Sequence, residues 1–192
     1  KTILRRVLES LIDQSIQNDD DPRLTIVIAL LRRGADVNKV AKDGQSPLSL
    51  ASSKSPTLST FILAQLVVQP THMPDGSSSK CLLCPQEFTF FERRHHCRHC
   101  NRLVCGDCST ARRILPPAFG HGSELVRVCK QCTVVLSAKQ KTKPLPAPKS
   151  NQKPYDEKDE LLKRAKSFSM AHAKEAYDKV TKLLNKKGKK NA

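Results

Sequence analysis

Eight cysteines fall along this chain as four Cys-x-x-Cys pairs, and no cysteine sits outside a pair. The pairs are Cys81/Cys84, Cys97/Cys100, Cys105/Cys108 and Cys129/Cys132, separated by 12, 4 and 20 residues. Two residues between paired sulfurs let one tight turn present both to a single ion, and a structural zinc takes four such soft ligands. Disulfide frameworks rarely space every cysteine this way, because adjacent bridges of that kind are strained. Redox chemistry at one Cys-x-x-Cys would not need four copies. Two four-thiolate zinc ions are therefore the expected cofactors. With all four positions filled by sulfur, no open site remains for Lewis-acid catalysis, which argues against a zinc hydrolase.

The cysteine-bearing stretch, His72 to Leu136, holds about 65 residues and few aliphatics. Such a piece buries too little surface to fold well alone. A structural zinc contributes roughly 10–16 kcal/mol of apparent free energy in small zinc peptides, enough to supply the missing stability. Spacing allows either consecutive or interleaved pairing. The gap of 4 residues between Cys100 and Cys105 favours interleaving. Cys81, Cys84, Cys105 and Cys108 then hold one ion, and Cys97, Cys100, Cys129 and Cys132 the other.

The second pair is embedded in the run Arg93-Arg94-His95-His96-Cys97-Arg98, and Arg127-Val128-Cys129 follows near the end. Guanidinium groups fit phosphate oxygens in bidentate fashion, and such ionised hydrogen bonds are roughly twice as strong as neutral ones. The motif set, with all eight ligands, resembles the FYVE-type zinc finger over about a third of the chain. The resemblance implies cross-braced ligands and binding of phosphatidylinositol 3-phosphate on early endosomal membranes by a cytosolic, peripheral protein. It assigns the lipid head group to Arg93, Arg94, His95, His96, Arg98 and Arg127, with Asp75 assisting a histidine. The family's Trp-x-x-Asp motif here reads His72-Met73-Pro74-Asp75, and Asn101 stands where glycine is usual. Asn tolerates the left-handed backbone best after glycine, so the second change is mild.

Alternation along a strand places Arg94, His96 and Arg98 on one face. A phosphate partner raises histidine pKa values, so head-group affinity is expected to fall as pH rises from about 6 to 8. His99, between two ligands, is expected to face solvent. The resemblance puts Phe88 in the core and Phe90 and Phe91 at the tip of a membrane-inserting loop. Burying each exposed ring contributes about 1.5–3 kcal/mol, a useful addition to head-group contacts that alone often reach only micromolar affinity, around −8 kcal/mol. Glu92 beside them opposes an anionic surface.

Upstream, Leu30 to Asn38 followed by Asp43 to Ala51 resembles ankyrin repeats: a helix end, a Gly-centred turn and a Pro-Leu start to the next helix. Residues 3–38 read as one imperfect repeat and 39–69 as a final one. Isolated repeats cannot cover their apolar faces, so a start at Lys1 is expected of a piece of a longer array with a protein partner. Downstream, residues 137–192 carry +10 of the net charge of +16. Residues 137–154 read as a proline-rich disordered linker. Residues 155–190 read as a basic amphipathic helix whose thin stripe runs through Leu161, Ala165, Phe168, His172, Ala176, Val180 and Leu183. Solvation of that helix ranks first, membrane contact second and homodimer pairing third.

The expected fold class is α+β: ankyrin-like helical repeats in 1–71, a small two-zinc cross-braced finger in 72–136, then the linker and helix. The expected function is an adaptor that brings an ankyrin-bound partner to endosomal membranes. Neither a secretory segment nor a membrane span is evident. No phosphate-cradling glycine loop or nucleophile–base motif suggests an enzyme. A nucleic-acid-binding zinc protein and a RING-like ubiquitin ligase module are the alternatives. The first lacks a recognition helix or base-stacking platform, so no nucleic acid is expected. The second normally includes a histidine ligand.

Overall fold

Three helix starts share one local solution: a capping oxygen followed at once by proline. In the computed structural model, which describes residues 2–14, 16, 21–141 and 169–188, Asp21, Ser46 and Ser55 cap α2 (Pro22–Arg32), α3 (Pro47–Lys54) and α4 (Pro56–Gln65). Proline at the first helical position wastes no hydrogen bond, because that N–H has no intrahelical partner, and its φ is already helical. Thr2 caps α1 (Ile3–Asp13) without proline. The turn leaving α2 is closed by Gly34 at φ 81, with Gly34 N–H donating to Leu31 O and Ala35 N–H to Leu30 O. This is the doubly bonded C-terminal motif that a left-handed residue permits.

Leu4, Leu8 and Leu11 recur on one face of α1 and are buried against α2 and α3. α4 behaves differently, since every residue from Leu58 to Gln65 is buried. It touches α2 and α3 on one side and α5 (Lys130–Lys141) and α6 (Met170–Gly188) on the other. A helix covered all round can be apolar all round, and Phe61, Ile62, Leu63 and Ala64 follow one another without a polar break.

Between α4 and α5 lies the cysteine-rich segment, with two small antiparallel hairpins. β1 (His95–His96) pairs with β2 (Leu103–Val104), and β3 (Ala111–Arg113) with β4 (Val126–Val128). The segment is joined to the loops that follow α2 and α4 by buried and part-buried side-chain bonds. Asn38 Nδ2 donates to Thr71 O at 2.8 Å and Cys100 O at 2.9 Å. Gln69 Nε2 donates to Arg98 O at 2.9 Å, and Asn101 Nδ2 to Pro70 O at 2.6 Å.

Downstream the structure departs from expectation in two places. Residues 137–141, expected in the linker, complete α5. The basic helix, expected first to be solvated, docks on α4 and α5 where it is described, with Ala173 and Ala176 fully buried. Alanine lets a helix approach closely, so a thin stripe suffices. The buried line passes through Ala173, whereas His172 from the expected stripe is exposed. The linker from 142 to 154 and the helix from 155 to 168, with Leu161, Ala165 and Phe168, lie outside the described residues.

Candidate functional site

The cysteines gather as two sets of four, Cys81/Cys84/Cys105/Cys108 and Cys97/Cys100/Cys129/Cys132, with the sulfurs of each set all within 4.8 Å of one another. The pairing is interleaved. Backbone N–H groups already face the sulfurs: Cys105 N–H donates to Cys81 Sγ and Cys129 N–H to Cys97 Sγ, each at 3.3 Å. Such donors spread thiolate charge and orient the ligands. Four soft sulfurs per set, with no other donor type, fit zinc in a closed tetrahedral site. The turn of the Cys97/Cys100 knuckle ends at Asn101, whose φ of 55 is left-handed, and Asn101 N–H donates to Cys97 O at 2.7 Å.

The second set is buried throughout and carries a cation beside it. Arg102, 3 % exposed, donates from Nε to Cys100 Sγ at 3.4 Å. Burial opposes its charge, but the thiolates of Cys100, Cys129 and Cys132 outweigh that cost and hold its pKa above the ordinary value. Arg102 Nη2 donates to Gln131 Oε1 at 2.6 Å, and Gln131 Nε2 donates in turn to Ser59 Oγ and Thr60 Oγ1 of α4. His99 corrects the expectation of a solvent-facing residue. It is 1 % exposed, stacks on Phe119 at 5.0 Å between ring centroids, and places Nδ1 3.2 Å from Cys132 Sγ. Burial pushes its imidazole down to about 4, so the neutral ring is available as an N–H donor to that sulfur.

On the outer face, β1 and β4 are brought together where Arg98 N–H donates to Arg127 O at 2.8 Å. A cavity of about 300 Å³ opens there, lined by Arg94, His95, His96, Arg98, Arg112, Leu125, Val126 and Arg127. None of the lining residues is acidic. Burial first, and then Arg127, holds His95 below the ordinary imidazole value; Glu92 opposes this, and Arg112 and Arg93 add to it. Arg127 is lowered by burial and by Arg112 and Arg98. Its Nη1 donates to Ser109 O at 2.9 Å, which fixes the guanidinium at the cavity wall. Unneutralised cations converging on a half-closed space make an anion site.

Of the residues assigned to the head group from sequence, Arg94, His95, His96, Arg98 and Arg127 line this cavity, and Arg93 does not. Asp75 lies just outside, with Oδ1 3.5 Å from His96 Nε2. His96 Nε2 donates to Met73 O at 2.8 Å. His72, in place of the usual tryptophan, keeps an aromatic contact there, its ring centroid 3.7 Å from that of His96. Burial, then His96 and Arg98, lower the His72 pKa. Arg112 was not anticipated. It enters because β3 pairs with β4 in a register that sets Arg112 opposite Arg127, and no local pattern announces that pairing.

Phe90 and Phe91 stand clear of the surface at 89 % and 92 % exposed, while Phe88 is buried beneath the Arg94 guanidinium. They form the tip of a turn closed by Thr89 N–H to Glu92 O and Glu92 N–H to Thr89 Oγ1. The Glu92 carboxylate accepts from Gly106 N–H at 2.9 Å, so it anchors the base of this loop. Among the described residues no helix is long and apolar enough to cross a membrane.

The profile of the FYVE zinc finger family matches residues 71–138. Zinc finger FYVE domain-containing protein 26 of Mus musculus is 49% identical over 61 residues, covering 31% of this chain and 2% of that protein. Its Ailuropoda melanoleuca counterpart is 48% identical over 65 residues, covering 33% of this chain and 2% of its own length. This chain thus spans a small fraction of those relatives. Among solved structures, the tandem VHS and FYVE domains of HRS, described as a protein of membrane trafficking and signal transduction, align at 17% identity. That alignment has a TM-score of 0.33 and covers 71% of this chain and 98% of the other. Residues 71–138 are a FYVE zinc finger whose two interleaved cysteine tetrads are positioned to bind two zinc ions.

Proposed function

We propose that the chain is a peripheral membrane adaptor whose finger reads phosphatidylinositol 3-phosphate on endosomal membranes, and that it performs no catalysis. The observation that carries this reading is the acid-free cavity of about 300 Å³ edged by four arginines and two histidines. Arg94, Arg98 and Arg127 supply N–H donors to a dianionic phosphate, and the histidines add donors of their own. Exposed Phe90 and Phe91 supply the apolar increment that head-group contacts lack. We read the two helix pairs of the N-terminal part, α1/α2 and α3/α4, as the ankyrin-like end of an array that holds a protein partner. The finger then carries that partner to the membrane.

Sedimentation with vesicles of phosphatidylcholine plus each monophosphorylated inositol lipid tests the reading. Wild type is expected to prefer the 3-phosphate, Arg94→Ala to lose discrimination, and the Phe90→Ala/Phe91→Ala pair to weaken retention without changing the preferred lipid. Equal sedimentation with all of these lipids would defeat it.

A further inference from the structure

The β3–β4 hairpin carries features that the phosphate-binding run on β1 does not explain. Arg112 and Arg127 sit directly opposite each other in the antiparallel register. Like charges so placed repel, and among the described residues Arg112 has no ion pair with an acid. One step outward Arg113 pairs with Val126, and the residues just past these strand ends are Ile114 and Leu125. Carried one residue past the strand ends, the alternation of side chains puts Ile114 on the same side as Arg112, and Leu125 on the same side as Arg127. Both aliphatics are exposed, Ile114 at 57 % and Leu125 at 66 %, although neighbouring Leu115 and Phe119 are buried at 2 % and 3 %. One side of the hairpin therefore runs from a pair of cations at the cavity to a pair of exposed aliphatics, Leu125 at the cavity and Ile114 outside its lining.

Leu125 and Arg112 both line the cavity. A head group seated there remains tethered to its own bilayer, so the bilayer surface must come to the cavity mouth, where Leu125 stands. Charge complementarity and continuity with the cavity both select a lipid surface as the occupant.

We propose that the β3–β4 hairpin is a second bilayer contact, in which Arg112 joins the grip on lipid phosphate and Ile114 and Leu125 enter the apolar layer. Together with the Phe90/Phe91 loop it gives the finger two apolar points of attachment on separate chain segments, which fixes orientation as well as adding affinity. This inference rests on the function proposed above.

The full zinc-loaded chain is measured against two probes: water-soluble inositol 1,3-bisphosphate by calorimetry, and phosphatidylcholine vesicles containing phosphatidylinositol 3-phosphate by sedimentation. Ile114→Ser is expected to bind the soluble head group as wild type does and to lose about ten-fold in vesicle affinity. Ile114→Trp is expected to bind vesicles more tightly, and Leu125→Ser less tightly. Arg112→Gln should weaken binding to both probes. If wild type binds both probes yet Ile114→Ser and Ile114→Trp leave vesicle affinity unchanged, the hairpin contact is wrong and the head-group reading stands. If wild type binds neither probe, the head-group reading fails and takes this inference with it.

Discussion

Arg102 shows how one buried side chain settles three problems at once. It places positive charge beside Cys100, satisfies Gln131, and reaches Ser52 Oγ of α3 at 3.3 Å. Replacing it leaves the net negative charge of the four-thiolate zinc cluster without its buried counter-charge and an amide oxygen without a donor, a class of change that costs about 3–5 kcal/mol. Arg102→Met is therefore expected to lower unfolding stability by that order and to speed zinc transfer to a chromophoric chelator, while Arg113→Met, outside this network, does neither. Arg5 makes a second fixed pair in the helical part: only 3 % exposed, it forks onto the half-exposed Asp43 and also donates to Gln45 O. The guanidinium holds the Asp43 carboxyl at about 2, against an ordinary 3.8. A depressed carboxyl contributes its full stability above the unfolded value and loses it as pH falls through the folded one. The penalty of Asp43→Asn should thus be the same at pH 8 and pH 5. It should shrink only as pH falls from about 4 toward 2, and a penalty that stayed constant over that window, read by urea unfolding, would show that the ion pair does not depress this carboxyl.

Among the elements, α6 best shows how context overrides local pattern. A lysine-rich helix with a thin, alanine-rich stripe reads as solvated, because so little apolar area is on offer. The structure uses smallness in place of area: Ala173 and Ala176 let α6 lie close against α4 and α5. Ala173→Leu overfills that contact and is expected to cost about 1–3 kcal/mol, whereas Lys174→Ala on the exposed side stays within about 0.5 kcal/mol; chemical unfolding of the two variants is the check. The same element scale explains what was legible and what was not. The glycine turn at Gly34 and the Pro47-Leu48 helix start are set by residues within a few positions of each other, so the pattern is visible in the chain, whereas the Phe90/Phe91 tip is implied by the family resemblance. Arg112 and His99 depend on partners far along the chain. Arg112 needs the β3–β4 register, and His99 needs Phe119 and Cys132 packed around it.

For the whole molecule, the consequence is that metal and helices are not independent. The Cys97/Cys100/Cys129/Cys132 set is connected through Arg102 and Gln131 to Ser59 and Thr60 in α4, and Asn38 donates to Cys100 O. Chelation of zinc is expected to unfold residues 71–138 and also to raise amide hydrogen exchange in α4. Exchange in α4 unchanged after chelation would mean the helices stand without the finger. The cysteine spacing by itself determined the ligand class, the number of ions and a preference for interleaving, because metal coordination depends on a few covalently close sulfurs. The basic run set several cationic donors side by side for the same reason, since donors adjacent in sequence are adjacent in space. Only tertiary structure decided that Arg112 faces the cavity while Arg93 does not, that His99 is buried, and that α6 is docked. Those outcomes depend on register and packing between distant segments, which no short stretch of sequence encodes.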